Sequence, residues 1–542
     1  MLLSKLFSYR DGIAGTMKHR PLKNSIRLAG LSSLLLLVPT LGFVQGCTDL
    51  TEVPTSSIAP ENFYRNEEEV LGGLASVYAQ LRQTIEASYN ASEVSSDEYI
   101  VPTRGTDWYD NGRWLLFDRQ LYEANNTASN NDGLNGAWNA LFVGVARANV
   151  AIAAVNTVDF PTKPVVLAEL RTLRAFYYFL LQDLFGGVQI VEDTEIKARE
   201  RNTRAEVFAF IESELNETRT VLPPSWSAEM NGRMTRGAAD AILASLYINA
   251  QVFSGDVTAT GLTPGAAKWQ EAADAADRVI NSGIYSLATD FHANFAPDNH
   301  TSPEIIMSIK FLNATDLGLN FLMRALHYSQ YTPQPWNGFA TIAETYLAFD
   351  PQDRRRQIFL AGQQFNVDTG LPVNDNQGNP LVFTLDFPPR SGTGNGPDNT
   401  LDYAGVRIAK WPADPARVQQ HSSNDFAHFR LAEMYLIKAE ALNELGRTAE
   451  AIVLVNQVRA RAFAVPEPIS PATTQAQFRT VILNERLFEL TAEGKRRQDQ
   501  IRLGSYLRPW FNKDQREPYR ILMPIPQIQI EANALLAQNP GY

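Results

Sequence analysis

The chain is 542 residues long, carries a net charge of −11, and is 44% apolar and 20% charged, with a single cysteine. These proportions belong to an ordinary globular protein and exclude a disordered one. An acidic chain is a poor partner for nucleic acid, because phosphate attraction needs basic charge, and one thiol cannot close an internal disulfide.

The first element in chain order is a leader. Lys18, Arg20, Lys23 and Arg27 precede an apolar run over 28–44, which closes on Gln45, Gly46 and Cys47. Basic, then apolar, then small-and-cysteine is the layout of an export signal. The lone thiol is explained by lipid attachment, since bacterial lipoproteins are cut just before a cysteine that then carries a diacylglycerol. The segment resembles a lipobox with Gln45 as its atypical member. A membrane span fits less well, because Pro39 and Gly42 break a run already short for one. Residues 1–46 thus read as a lipoprotein signal peptide starting at Met1 or Met17, and Cys47 as the lipidated N-terminus. Residues 1–46 hold six basic residues against Asp11, so their removal takes the net charge from −11 to −16.

Helical patterns follow. Over 67–88, Val70, Leu74, Val77, Leu81 and Ile85 recur at three-and-four spacing, which predicts one apolar face. The same period predicts helices over 134–155, 165–185, 205–221 and 235–253, the last with Thr235 as N-cap, and over 268–282, stopped by Gly283. Alanine recurs where helices would touch, at Ala238, Ala241, Ala244, Ala272, Ala273 and Ala276. Small contact residues are the logic of tetratricopeptide hairpins. The clearest hairpin is 429–445, Gly446, 448–462; the others are degenerate, which predicts scattered hairpins in a mainly α protein and no regular solenoid. Residues 90–131 and 291–428 are rich in Asn, Gly, Pro, Asp and aromatics, with short apolar runs at 304–311 and 380–387, and read as loops and hairpins.

Four stretches carry a family resemblance. RTLRAFYYFLLQDLFGGVQIV (171–191), FRLAEMYLIKAEA (429–441), NERLFELTAEGKRRQDQIRLG (484–504) and PIPQIQIEANALLAQNPGY (524–542) resemble hallmark segments of the SusD/RagB family. Gln500, Leu503 and Ala534 depart from the family pattern at positions that look structural. The resemblance implies a lipid-anchored, surface-exposed outer-membrane protein of a Gram-negative bacterium. It further implies a binding protein and not an enzyme, which lids a SusC-like TonB-dependent transporter and hands it oligosaccharide, or peptide in the RagB branch. The implied fold is mainly α, with tetratricopeptide-like helical hairpins supporting a loop-rich ligand face with short strands. An N-terminal helical region over 47–290 and a C-terminal region over 291–542 follow from it.

A sugar site needs flat apolar faces ringed by amides, carboxylates or Arg. Two clusters fit: Asp97, Glu98, Arg104, Asp107, Trp108, Tyr109 and Asn111, and then Tyr328, Tyr331, Gln334, Trp336 and Asn337. Trp108 and Trp336 are the expected stacking platforms, assisted by Tyr109 and Tyr331, with Asp97, Arg104 and Asn337 on the hydroxyls. The competing reading is that these aromatics pack loops onto the core. Glu485, Glu489 and Glu493 share a helix face, but a surface ion-pair ladder explains them better than a glycosidase dyad. No His-Glu-x-x-His or Cys-x-x-Cys occurs, so no metal and no cofactor is expected. The glycine-rich 391–396 lacks the Lys-Ser/Thr of a phosphate loop. An exported glycoside hydrolase and a repeat adaptor binding only protein stand as the other classes.

Overall fold

Asn66 opens the first helix by accepting from the Glu69 N–H at 3.0 Å, and three glutamates follow in the first turn. Both devices satisfy or complement the unpaired amides of a helix start. The computed structural model describes residues 64–126, 133–387, 400–511 and 513–542. The leader, Cys47 and the 391–396 loop lie outside the described residues.

The long helices are α1 (Glu67–Thr84), α2 (Leu134–Thr157), α3 (Lys163–Phe185), α4 (Arg204–Thr218), α5 (Arg236–Ile248), α6 (Trp269–Ile280), α7 (Leu431–Glu444), α8 (Thr448–Arg459) and α9 (Gln475–Leu490). Each of the first eight packs on the next in chain order, from α1 on α2 through α7 on α8. The succession is unbroken even between α6 and α7, where some 150 residues intervene; they loop out of the helical stack and back. Scattered hairpins was therefore too weak an expectation. One hydrophobic core runs from Val70 to Leu536 and crosses the 290/291 division of the sequence.

The expected local signals act as read. Thr235 caps α5 by accepting from the Ala238 N–H at 3.1 Å. Ala238, Ala241 and Ala244 on α5 and Ala272, Ala273 and Ala276 on α6 are all buried, which lets these two helices stack closely. Gly283 and Gly446 sit at φ +71° and +79° just past their helix ends, where a side chain would be strained. Helix α2 is long and apolar enough to cross a membrane by length and composition alone, but Leu134, Ala137, Leu141, Val145 and Ala148 bury it as a core helix.

Three predicted helices differ. The 235–253 pattern stops at Ile248, and a short separate helix, Ala250–Phe253, follows Asn249. The 67–88 pattern breaks at Thr84, and a separate helix, Ala87–Val94, is buried at every residue. The 429–445 pattern begins two residues late because Phe429 and Arg430 end a strand. Strand β1 (Ile305–Ile309) pairs antiparallel with β2 (Phe426–Arg430), Ile305 opposite Arg430 and Ile309 opposite Phe426. That pair delivers Arg430 to the centre of the molecule.

There the expected surface ladder proves to be internal. Glu485, Glu489 and Glu493 are each no more than 1% exposed. Arg430 donates to Glu304, Glu489 and Glu493 at 2.7–2.8 Å. Arg355 donates to Glu485 and Glu489 at 2.6 and 3.0 Å and also to Asp353, Arg459 reaches Glu485, and Lys410 reaches Glu493. Arg461 bridges Glu304 and Glu489. These are five cations and five carboxylates, so the cluster is neutral. Burial alone would raise the Glu304 and Glu489 carboxyls, but the Arg461 and Arg430 guanidiniums outweigh it and hold both below the usual range. The reading failed because helical spacing gives a face, not what covers it.

Candidate functional site

The two aromatic-polar clusters, more than 200 residues apart in sequence, meet in space. At their base Ile100 and Ala340 exchange backbone bonds of 2.8 and 2.9 Å. Above this bridge Arg104 reaches across, donating to the carbonyls of Asn337 and Ala404 at 2.8 Å each and to that of Leu401. Asn337 donates to the Asp402 carbonyl at 2.9 Å, and its own amide oxygen accepts from Arg407 at 2.9 Å. The Trp108 indole N–H donates to the Trp336 carbonyl at 2.7 Å, and the Tyr328 hydroxyl donates to Asp107 at 2.5 Å. Two loops and the 401–407 segment thus form one clasp.

Close approach is built in. A Cβ on Gly338 would stand 2.3 Å from the Trp108 ring, so only glycine lets the indole lie on the backbone there. Trp108, Asp110, Asn111 and Asn337 all have positive φ (61°, 41°, 56° and 49°). Such a concentration of left-handed non-glycine residues marks a backbone held by its surroundings, as at ligand sites.

The clasp reassigns part of the expected site. Asn337 is wholly buried and Arg104 nearly so, and their polar groups serve the clasp. They are corrected from hydroxyl-binding groups to positioning residues. Tyr331 is buried with the Arg417 guanidinium 4.0 Å over its ring, so that face is covered. Asp97 forms a two-bond ion pair with Arg496 at 2.7 and 2.9 Å and retains only an edge toward solvent. Glu98 is buried. What faces outward is half-buried Trp108, Tyr109, Tyr328 and Trp336, with exposed Asp107, Asn111 and Gln334 beside them. Trp108 packs edge-on to Phe339, and Trp336 rests on a cluster of Leu322, Met323, Leu326 and Tyr331.

The inner frame has no counterpart among the sequence patterns. Burial pushes the Arg104 guanidinium down to about 9; burial and then the Arg104 charge push Arg407 well below its usual value. Asp402 lies beside both and accepts from His327 at 3.2 Å, whose imidazole burial holds on the neutral side. Single Arg, Asp and His residues in a loop carry no sequence pattern; only the polar density of 401–407 could have flagged them.

Behind the first loop, the turn after α9 holds it in place. Ala492 N–H donates to Glu98 at 2.6 Å and Gly494 N–H to Glu93 at 2.5 Å. Glu93 and Glu98 are adjacent buried carboxyls. Burial pushes Glu93 up to about 7, and burial together with Glu93 pushes Glu98 well above the carboxylate range. A carboxyl with a raised folded pKa contributes stability that is complete below its unfolded value, about 4.3, and is lost as pH rises through the folded value. Glu93→Gln, neutral throughout, is expected to gain about 1–3 kcal/mol relative to the parent between pH 5 and pH 8. Urea melts at the two pH values check this, and parallel pH slopes in both proteins would refute it.

Glu485, Glu489 and Glu493, the carboxylates considered earlier, are all buried and paired with internal cations. Among the described residues no three His, Cys, Asp or Glu gather in a way that could hold a metal ion.

A family model described as "SusD family" matches residues 344–515, and one described as "Starch-binding associating with outer membrane" matches residues 61–248. A SusD-like protein of Formosa agariphila is 26% identical, covering 91% of this chain and 96% of its own length. The starch-binding protein SusD of Bacteroides thetaiotaomicron is also 26% identical, over 69% of this chain and 72% of its own. Among solved structures, a laminarin-binding SusD-like protein superposes with a TM-score of 0.70 at 21% identity, covering 88% of this chain and all of that one. Surface glycan-binding protein A from Bacteroides thetaiotaomicron, in complex with laminarihexaose, gives 0.69 at 20% identity with the same coverage. At these identities the superpositions show the fold.

Proposed function

This chain belongs to the SusD/RagB family, and from that membership we propose that it is a surface glycan-binding protein which captures oligosaccharide at the clasp of its two aromatic loops. The observation that carries the reading is the bond from the Trp108 indole to the Trp336 carbonyl, which ties two half-buried tryptophans from separate loops to one frame. Sugar rings offer flat C–H faces, and indoles locked in place meet them without paying ordering entropy at the moment of binding. Gln334, Asn111 and Asp107 are the polar groups at hand for hydroxyls. Relatives named for starch and laminarin support the ligand class.

Trp336→Ala is the informative variant. It removes an apolar platform but keeps the carbonyl that Trp108 needs, so the clasp survives. Binding is expected to weaken by about 1–3 kcal/mol, roughly 5- to 150-fold in Kd, with the melting temperature nearly unchanged. Calorimetric titration and a thermal melt measure the two. Unchanged affinity would remove Trp336 from the site, and peptides binding where glycans do not would change the ligand class.

The proposal extends to anchoring and delivery. Cys47 tethers the chain to the outer membrane by lipid, and the bound glycan passes to a SusC-like TonB-dependent transporter. The support is the leader pattern and the family. Cys47→Ala is expected to leave a folded protein that no longer sediments with membranes; continued sedimentation in cells lacking the transporter would sink the anchor. Recovery of the protein from mild detergent without any large barrel partner would count against delivery.

A further inference from the structure

We propose a second carbohydrate site, remote in sequence from the clasp, in the groove between the α4–α5 loop and strand β1, taking a neutral sugar unit on the face of Trp226. The groove holds about 140 Å³ and is lined by Ser225, Trp226, Asn231 and Thr235 from that loop, by Tyr285, and by residues 305–308 of β1. None of these residues belongs to the clasp, so the inference goes beyond the function proposed above.

Three observations define the ligand. The first is a fixed aromatic platform. Trp226 is half-buried, its indole N–H donates to the Met234 carbonyl at 2.9 Å, and the Arg233 guanidinium covers one face of its ring at 4.0 Å, so the sugar is assigned to the opposite face of this part-exposed ring. The ring is therefore held in one orientation at no cost to the ligand.

The second is the charge. Arg233, the guanidinium lining the groove, is already paired with buried Glu169 through Nε at 3.0 Å and through a second, shorter bond. Nearby Lys310 is likewise paired with Asp425. Both cations are already neutralised by carboxylates, so an anion gains little net attraction here and a neutral ligand forgoes none.

The third is a set of oriented polar groups. Asn231 is held between the His300 carbonyl and the Lys310 ammonium, at 3.2 Å each, and the Tyr285 and Thr235 hydroxyls share a bond of 3.2 Å. Each keeps hydrogen-bonding capacity beyond these contacts: a second amide hydrogen on Asn231 and lone pairs on the hydroxyls. An aromatic face with amide and hydroxyl groups and no net charge is the complement of a neutral sugar. An extended peptide could instead add to β1, which is paired on one edge only. The charge-neutral polar side chains beside an aromatic favour the sugar.

The test separates the two sites. Trp336→Ala protein is titrated calorimetrically with laminarihexaose, maltohexaose, xylohexaose and mannohexaose, with and without Ser225→Trp. Ser225 is exposed at the rim, so a large side chain there fills the groove without entering the core. At least one neutral hexasaccharide is expected to bind Trp336→Ala protein, and Ser225→Trp is expected to weaken that binding tenfold or more at an unchanged melting temperature. A blank across the panel with Trp336→Ala protein overturns the proposal, whatever the unsubstituted protein binds. Equal affinity with and without Ser225→Trp also overturns it. So does Ser225-sensitive binding confined to sulfated sugars, uronates or extended peptides. The clasp reading falls separately, on unsubstituted protein whose affinity Trp336→Ala leaves unchanged.

Discussion

Arg430→Met is expected to cost about 3–5 kcal/mol of folding stability, or to leave no folded protein. Arg430 is wholly buried and meets three carboxylates, Glu304, Glu489 and Glu493, that are themselves shut off from water. Removing the cation leaves an excess negative charge in the interior, and that residual penalty, more than the lost attraction, sets the size of the effect. The contrast is Arg447→Ala, whose partner Glu450 is solvent-exposed like itself; losing an exposed pair of this kind should leave stability nearly unchanged. Urea unfolding of both variants makes the comparison, and a loss below 1 kcal/mol for Arg430→Met would mean that water reaches the cluster. The same cluster predicts acid sensitivity. Because the folded pKa values of Glu304 and Glu489 are depressed, their contribution is present above the unfolded value near 4.3 and is lost as pH falls below it.

Arg104→Met is expected to abolish measurable glycan binding while costing about 2–4 kcal/mol of stability. Three backbone carbonyls, those of Asn337, Leu401 and Ala404, lose their donor in a nearly dry setting, and each unsatisfied buried acceptor costs on the order of 1 kcal/mol or more. Methionine approximates the aliphatic stem, so packing loss is small and the polar loss dominates. Binding suffers because the two indoles stand on separate loops and Arg104 helps hold those loops in register. A folded Arg104→Met protein with undiminished affinity would show that the clasp does not position the site. Trp336→Ala behaves differently, losing affinity and sparing the fold, so the pair of variants separates positioning from contact.

Much of the helical frame was legible because it rests on local signals. Apolar spacing located α1 to α8, Thr235 and Gly446 marked real ends, and alanine marked the α5–α6 contact. The two aromatic loops were legible as composition, and their meeting in space follows from the fold. Which of their side chains face outward was not. Arg104 and Asn337 look like sugar-binding groups in a sequence, since nothing local distinguishes an arginine that binds hydroxyls from one that binds carbonyls 300 residues away. The glutamates of 485–493 misled for the same reason: their cations come from four distant segments. Trp226 and Asn231 lie in a Pro-, Gly- and Trp-bearing stretch between two helices, but a lone tryptophan forms no aromatic cluster in the sequence to mark it.

The turn over 491–494 has a consequence in time as well as in space. Glu98 waits for an amide 394 residues further on, and Asp97 for a guanidinium 399 residues further on. A chain emerging from its N-terminus therefore exposes the first aromatic loop long before the residues that fix it exist. Helices α1 to α6 make neighbour-to-neighbour contacts and form as they appear, but the ligand face closes only after nearly the whole chain is present, a long-range step that folds slowly. Until then Trp108 and its neighbours are an unframed, aromatic-rich segment, vulnerable to association with other chains. Ending the chain at residue 490 would remove Arg496 and the whole 491–494 turn, and so dissolve a loop near the opposite terminus.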